Sequence, residues 1–233
     1  MEWYCNWGSQ KYLDSVYLTK PHMENLIDTK SGTTIKLRRF AKERGLVEEF
    51  RRIFESSNIN QLCKRIVETT EKIDCTDYEI GKDPVECKRK IKGDLFEVFC
   101  LLWLNIFGGE RSIYAYNLKW APRDMRGIDF FAINKLGNPL PIQCKFIANP
   151  TEEFKGDGRL ETFFQEAKNY TVASPNNEVP MVILFTSTNK VGYRYRGDRS
   201  MLIVDRKMIS KLASETNIGF WSTCKEKMFK IFS

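Results

Sequence analysis

The sequence holds a single histidine, His22, among its 233 residues. That excludes chemistries built on several placed imidazoles: zinc hydrolases with multiple histidine ligands, HNH-type nucleases and histidine relay triads. A C-x-x-C pair is also missing. The seven cysteines (Cys5, Cys63, Cys75, Cys87, Cys100, Cys144 and Cys224) are odd in number and stand in apolar or helical contexts. They read as reduced core thiols of an intracellular protein, in cytoplasm or nucleus, and not as a zinc site or a disulfide framework. No long hydrophobic run is present. The most apolar block, between Phe96 and Phe107, is interrupted by Glu97 and Asn105 and is too short to span a bilayer. No basic flank joined to an apolar stretch marks a secretory leader near the N-terminus, so neither secretion nor a membrane partner is expected. Low-complexity tracts are absent too, and 42% of the residues are hydrophobic. A chain of this length and composition can bury a real core as one ordinary domain, or one domain with a small appendage.

The formal charge is +7, with a pI near 9.0, which suits a polyanionic partner. The excess is uneven: residues 1–82 carry a net +1 and residues 83–233 a net +6.

The N-terminal third reads as mainly helical. Ser31 to Thr34 suggests a turn. Apolar residues from Ile35 to about Ser57 then fall at spacings of three and four, predicting one amphipathic helix or two broken near Gly45. Asn58 or Asn60 can cap a second helix through Leu62, Ile66 and Ile73. Asp83-Pro84 is a start signal for a long helix to Phe107, stopped at Gly108-Gly109. The period then changes. Residues 112–120, 128–133 and 141–147 read as strands, with a turn over Lys135 to Asn138 between the last two. Helical spacing returns over residues 157–171. Residues 180–186 and 201–204 read as buried strands, and residues 208–212 and 220–232 as helices. From residue 84 on, the order is helix, three strands, helix, strand, strand and helices. That order implies an α/β or α+β fold, with a mainly helical region at 1–82 and a second unit at 83–233.

The hairpin brings candidate chemistry together. A turn centred between Leu136 and Gly137 places Asp129 within one residue of facing Gln143, and facing Cβ atoms lie roughly 5 Å apart, close enough to share a metal ion. Gln143 and Lys145 project from one face of their strand, while Ile142, Cys144 and Phe146 turn to the other. A hard cation such as Mg²⁺ wants oxygen ligands, which Asp129, the Gln143 amide and the Cys144 backbone carbonyl can provide. Lys145 can orient water and offset charge at a reacting phosphate. Glu97, on the preceding helix, can complete the ligand set.

The segments GDLFEVFCLLWLNIFGG, RGIDFFAINKLGNPLPIQCKF, GRLETFFQEAKNY, MVILFTST and MLIVDRKMISKL carry a resemblance. Together they resemble the catalytic domain of the Mrr-like branch of the PD-(D/E)XK nuclease superfamily, in the variants attached to restriction helicases. The likeness covers roughly residues 90–213. It implies a restriction-endonuclease-like αβββαβ core and a Mg²⁺-dependent enzyme, with Mn²⁺ as a substitute, that hydrolyses DNA phosphodiesters, double-stranded DNA first among them. The family's metal-binding acid then falls on Asp129, its E/Q ligand on Gln143, its catalytic lysine on Lys145 and its helical glutamate on Glu97. Gln143 in place of glutamate removes one negative charge from the ion's surroundings. Double-strand cutting would call for a homodimer. The alternatives are a DNA-binding or assembly protein that keeps the fold without turnover, and a nuclease directed at RNA.

Other basic residues have two readings each. Arg123 and Arg126, just before the G-I-D strand, are phosphate contacts or solvated loop charges. Tyr193, Arg194, Tyr195, Arg196 and Arg199 interleave bases and aromatics in the manner of a nucleic-acid-binding loop. Lys88, Arg89, Lys90 and Lys92 form a third basic cluster. The charges between Lys36 and Arg52, with Glu43, Glu48 and Glu49 among them, read as a solvated helix face.

Overall fold

A computed structural model describes residues 32–75, 77–78, 83–109, 113, 115–121, 127–155, 158–170, 181–192, 200–215 and 219–233. Within them lie seven helices and a mixed five-stranded sheet. The fold is thus a mixture of α and β, as the order of patterns implies.

Helix α1 spans Gly32–Glu43 and α2 spans Val47–Ile53. Between them Gly45 takes a positive φ of 68°, open to glycine without a Cβ penalty, and this divides the apolar period into two helices. Residues 32–34 belong to the first turn of α1 and not to a separate turn. Small and hydroxyl-bearing residues suit a helix start as well as they suit a turn. Helix α3, Ile59–Lys72, is capped by Asn58, whose side chain accepts from the Gln61 amide at 2.9 Å. Helix α4, Pro84–Phe107, is capped by Asp83, with proline at the position where a missing N–H costs nothing.

Strands β1 (Tyr116–Trp120), β2 (Phe130–Ile133) and β3 (Pro139–Lys145) form an antiparallel meander. The β2–β3 turn is tied by Asn134, whose Oδ1 accepts from the amides of Leu136 and Asn138, and Gly137 supplies a φ of 82°. After a two-residue strand β4 (Glu153–Phe154) and helix α5 (Gly158–Ala167), strand β5 (Val182–Thr186) lies parallel to β3. Strand β6 (Lys190–Val191) pairs with β4, and β7 (Met201–Val204) lies parallel to β5. Helices α6 (Arg206–Glu215) and α7 (Phe220–Phe232) follow. The sheet order is β1-β2-β3-β5-β7.

Strand β3 begins two residues earlier than its sequence pattern predicts, because its two prolines are tolerated. Alternation turns the nitrogens of Pro139 and Pro141 to the β5 side, and pairing with β5 starts only at Ile142. No ladder bond is lost there.

Two apolar layers cover the sheet. On one face Ile142, Cys144, Ile183 and Phe185 join α4 and side chains of α1, α2, α3, α6 and α7 in one cluster. On the other, Leu184, Val182 and Met201 pack with Leu160, Phe163 and Ala167 of α5. Helix α7 welds the first cluster. Phe232 lies 5.7 Å from the Phe50 ring of α2, and Phe220 lies 6.0 Å from Phe99 of α4. Trp103 meets Phe185 of the central sheet edge-on at 5.1 Å. No helix among the described residues is long and apolar enough to cross a membrane.

Phe232, 1% exposed, seals α7 against α2, so Phe232→Ala should lower unfolding stability by about 3–5 kcal/mol in urea denaturation.

Candidate active site

Gly127 takes a φ of 77°, and a Cβ placed on it would come within 3.2 Å of the backbone of Phe163 in α5. Glycine is therefore required where the chain passes α5 into β2. The next residue, Ile128, is buried in the α5 layer and anchors the approach, which fixes the backbone of Asp129.

At Asp129 the β2 ladder changes hands. Its N–H donates to the Ile142 carbonyl at 2.9 Å, and its carbonyl accepts from Ala121 at 3.0 Å. Its carboxylate then accepts from the Cys144 N–H at 2.6 Å, the place a β2 carbonyl would take if the ladder continued. The ladder ends at Phe130↔Ile142, and Asp129 also bonds to Ile142, one residue from Gln143 along β3. The N–H and C=O of a strand residue point to the same side, so the Cys144 carbonyl also faces this gap.

On β3, Gln143 and Lys145 come off the same face as their β5 partners Leu184 and Thr186. Gln143 is 2% exposed, and its Oε1 has no hydrogen-bond partner among the described residues. A buried acceptor left bare costs about 1–3 kcal/mol, so something normally satisfies it. Lys145 is half-buried at the carboxyl end of β3. Its main chain is clamped there: its carbonyl accepts from the Thr186 hydroxyl at 3.2 Å and the Ser187 amide at 3.3 Å. The clamp continues to Arg206, buried, which donates to the Ser187 carbonyl at 3.0 Å and to Asn60 of α3 at 2.7 Å.

Helix α4 supplies the acids on the other side of the gap. Glu97 is largely buried and accepts from the Thr33 hydroxyl of α1 at 3.3 Å. Burial, then the charges of Asp129 and Asp94, push its carboxyl well above the usual range, against the pull of Lys90. Burial also raises Asp129 from 3.8 to about 6, opposed by the Cys144 N–H and by the ammonium groups of Lys145 and Lys90. Asp129 thus feels the charge of Lys145, and Glu97 that of Asp129. Asp94 and Lys90 join them, although the motif spacing gives no hint of either. Their signal was a charged stripe at helical spacing, Lys90, Asp94 and Glu97, on an otherwise apolar helix. Tyr78 and Thr33 come from distant segments and carry no such signal.

The four bases expected as a cluster on α4 are engaged internally. Lys88 and Lys92 pair with Glu71 at 3.3 and 2.5 Å, Arg89 with Glu86 at 3.3 Å, and Lys90 with Asp94. Arg123, Arg126, Tyr193, Arg194, Tyr195, Arg196 and Arg199 lie outside the described residues. The six described cysteines are buried free thiols. Cys100 and Cys144 share a hydrogen bond beside the acids, and burial lifts the Cys100 thiol to about 11. Among the described residues no three His, Cys, Asp or Glu side chains close around one point. The donor set is instead mixed: carboxylate, amide and backbone carbonyl. Comparison with known protein families, curated proteins and solved structures finds no match to this chain.

The raised pKa of Asp129 has a testable sign. The folded chain holds a proton that the unfolded chain has already released, so stability is lost as pH rises from about 4 through about 6. In metal-free buffer, Asp129→Asn should unfold at a higher temperature than wild type at pH 7, by at least about 2–4 °C, the effect of about 1 kcal/mol in a chain of this size. The difference should shrink toward pH 4 in a calorimetric pH series.

Proposed function

We propose that the protein is a Mg²⁺-dependent deoxyribonuclease with a restriction-endonuclease-like core of the Mrr-like PD-(D/E)XK type. The observation that carries this reading is that Asp129, where β2 leaves β3, feels the charge of Lys145 and acts on that of Glu97, with the buried Gln143 Oε1 unpartnered among the described residues on the same strand as Lys145. The element order around it, α4, β1-β2-β3, α5 and parallel β5, supports the αβββαβ reading.

The residues present fit a hard divalent cation. Asp129, Glu97, the Gln143 amide and the Cys144 carbonyl offer oxygen only, and an unpartnered buried amide oxygen is the kind of atom such an ion satisfies. When bound, the ion supplies Lewis acidity, neutralising phosphate charge and easing deprotonation of water. The chain's own residues do the rest. Asp129, fixed through the Cys144 N–H at one oxygen, would offer the ion the other. Glu97 accepts or holds a proton at its carboxyl, as its raised affinity for protons suits. The Lys145 ammonium positions the attacking water and offsets the charge that grows on phosphorus. Arg123 and Arg126, with Tyr193, Arg194, Tyr195, Arg196 and Arg199, would grip the DNA backbone and stack on bases, and cutting both strands would take a homodimer. Reduced, buried thiols suit an intracellular setting.

Supercoiled, linear and single-stranded DNA, each with Mg²⁺, Mn²⁺ or EDTA, tests the reading. Cleavage should require the metal and fall by about 100-fold or more in Asp129→Ala and Lys145→Ala, both retaining the wild-type circular dichroism. Gln143→Glu should cleave as well as wild type or better. Wild-type cutting by either alanine variant overturns the assignment.

A further inference from the structure

Helix α4 carries Lys90, Asp94 and Glu97 at positions i, i+4 and i+7, on one face. The Lys90 ammonium donates to Asp94 Oδ1 and lies 3.9 Å from Glu97 Oε1. It is also close enough to Asp129 to act on its charge. Two carboxylates therefore contact one ammonium, and a third feels its charge.

Asp94 is 1% exposed, and both its oxygens are already engaged, Oδ1 by Lys90 and Oδ2 by the Tyr78 hydroxyl at 2.5 Å. Tyr78 is itself fixed, with the Phe40 ring edge-on at 5.0 Å and the Lys36 ammonium 4.1 Å over its face. Asp94 is thus built to hold Lys90 and is not free to ligate an ion. The Lys90 side chain is 43% exposed, so its charge reaches the cluster from the solvent side.

We infer that the Lys90 ammonium occupies a second cation position in the acidic cluster, so that the centre takes a single divalent ion, held from the Asp129 and Gln143 side. The inference rests on the divalent-ion centre proposed above and specifies its occupancy. The position of Lys90 supports this: an ammonium 3.9 Å from Glu97 Oε1 repels a second divalent ion from that side of the cluster. Lys90 is then a positioning residue that sets the number and affinity of bound ions without touching substrate.

Manganese binding, followed by electron paramagnetic resonance of free Mn²⁺ and by titration calorimetry at pH 7.5, tests this apart from any cleavage. Wild type should bind one Mn²⁺. Lys90→Gln, which keeps a donor for Asp94 but removes the charge, should bind a second ion or bind the first about 10-fold more tightly. Lys90→Arg should behave as wild type, and circular dichroism should report folded protein in all three. One Mn²⁺ bound with unchanged affinity in Lys90→Gln overturns the role of Lys90 and leaves the metal centre standing, as do two ions in wild type. One ion in Lys90→Gln and none in wild type supports the role of Lys90 and removes the proposed metal enzyme. No binding in either protein overturns both.

Discussion

The hydrogen bond from the Cys144 N–H to the Asp129 carboxylate is the interaction on which the candidate site depends. A strand that ends early leaves its neighbour with an unpaired N–H inside the protein, and such a group must find a partner. Here the partner is a side chain, at 2.6 Å, and not a carbonyl. Asp129 is thereby held against β3, where it feels the charges of Lys145 and Lys90 and acts on that of Glu97. The glycine before it makes this possible, because any Cβ at position 127 would run into α5.

The same few elements carry both stability and the site. Trp103, Phe99 and Phe96 of α4 face the sheet and the closing helix α7, while Lys90, Asp94 and Glu97 of that helix form its charged stripe. Helix α1 contributes Thr33 to Glu97 and steadies Tyr78 against Asp94. The helical N-terminal segments are consequently in contact with the acidic cluster as well as with the core. Rigid packing matters here, since like charges brought together in a buried gap repel one another and are held only by the structure around them.

Much of this was legible in the residues. The caps Asn58 and Asp83, the break at Gly45 and the long period of α4 place the helices to within a few positions, because each follows from local chemistry. The turn around Gly137 carries enough register information to set Asp129 beside Gln143, since an antiparallel pair has one free parameter. The paired strands β4 and β6, two residues each, are too short to show a period. The early start of β3 was hidden by Pro139 and Pro141, whose tolerance depends on where β5 begins. Lys90 and Asp94 show as a charged stripe on α4, but the contact of Asp94 with Tyr78 joins separate segments, which no local pattern encodes. The family likeness pointed to Glu97, whose carboxyl is pushed up by burial and by the charges of Asp129 and Asp94.

The most direct test of this account is a crystal grown with Mn²⁺ and measured for anomalous scattering. The account predicts one peak in the gap between β2 and β3, within coordination distance of Asp129 and Gln143 Oε1, with the Lys90 ammonium still bonded to Asp94. A saturated crystal with no peak at Asp129, or with its only peak held elsewhere, would contradict it.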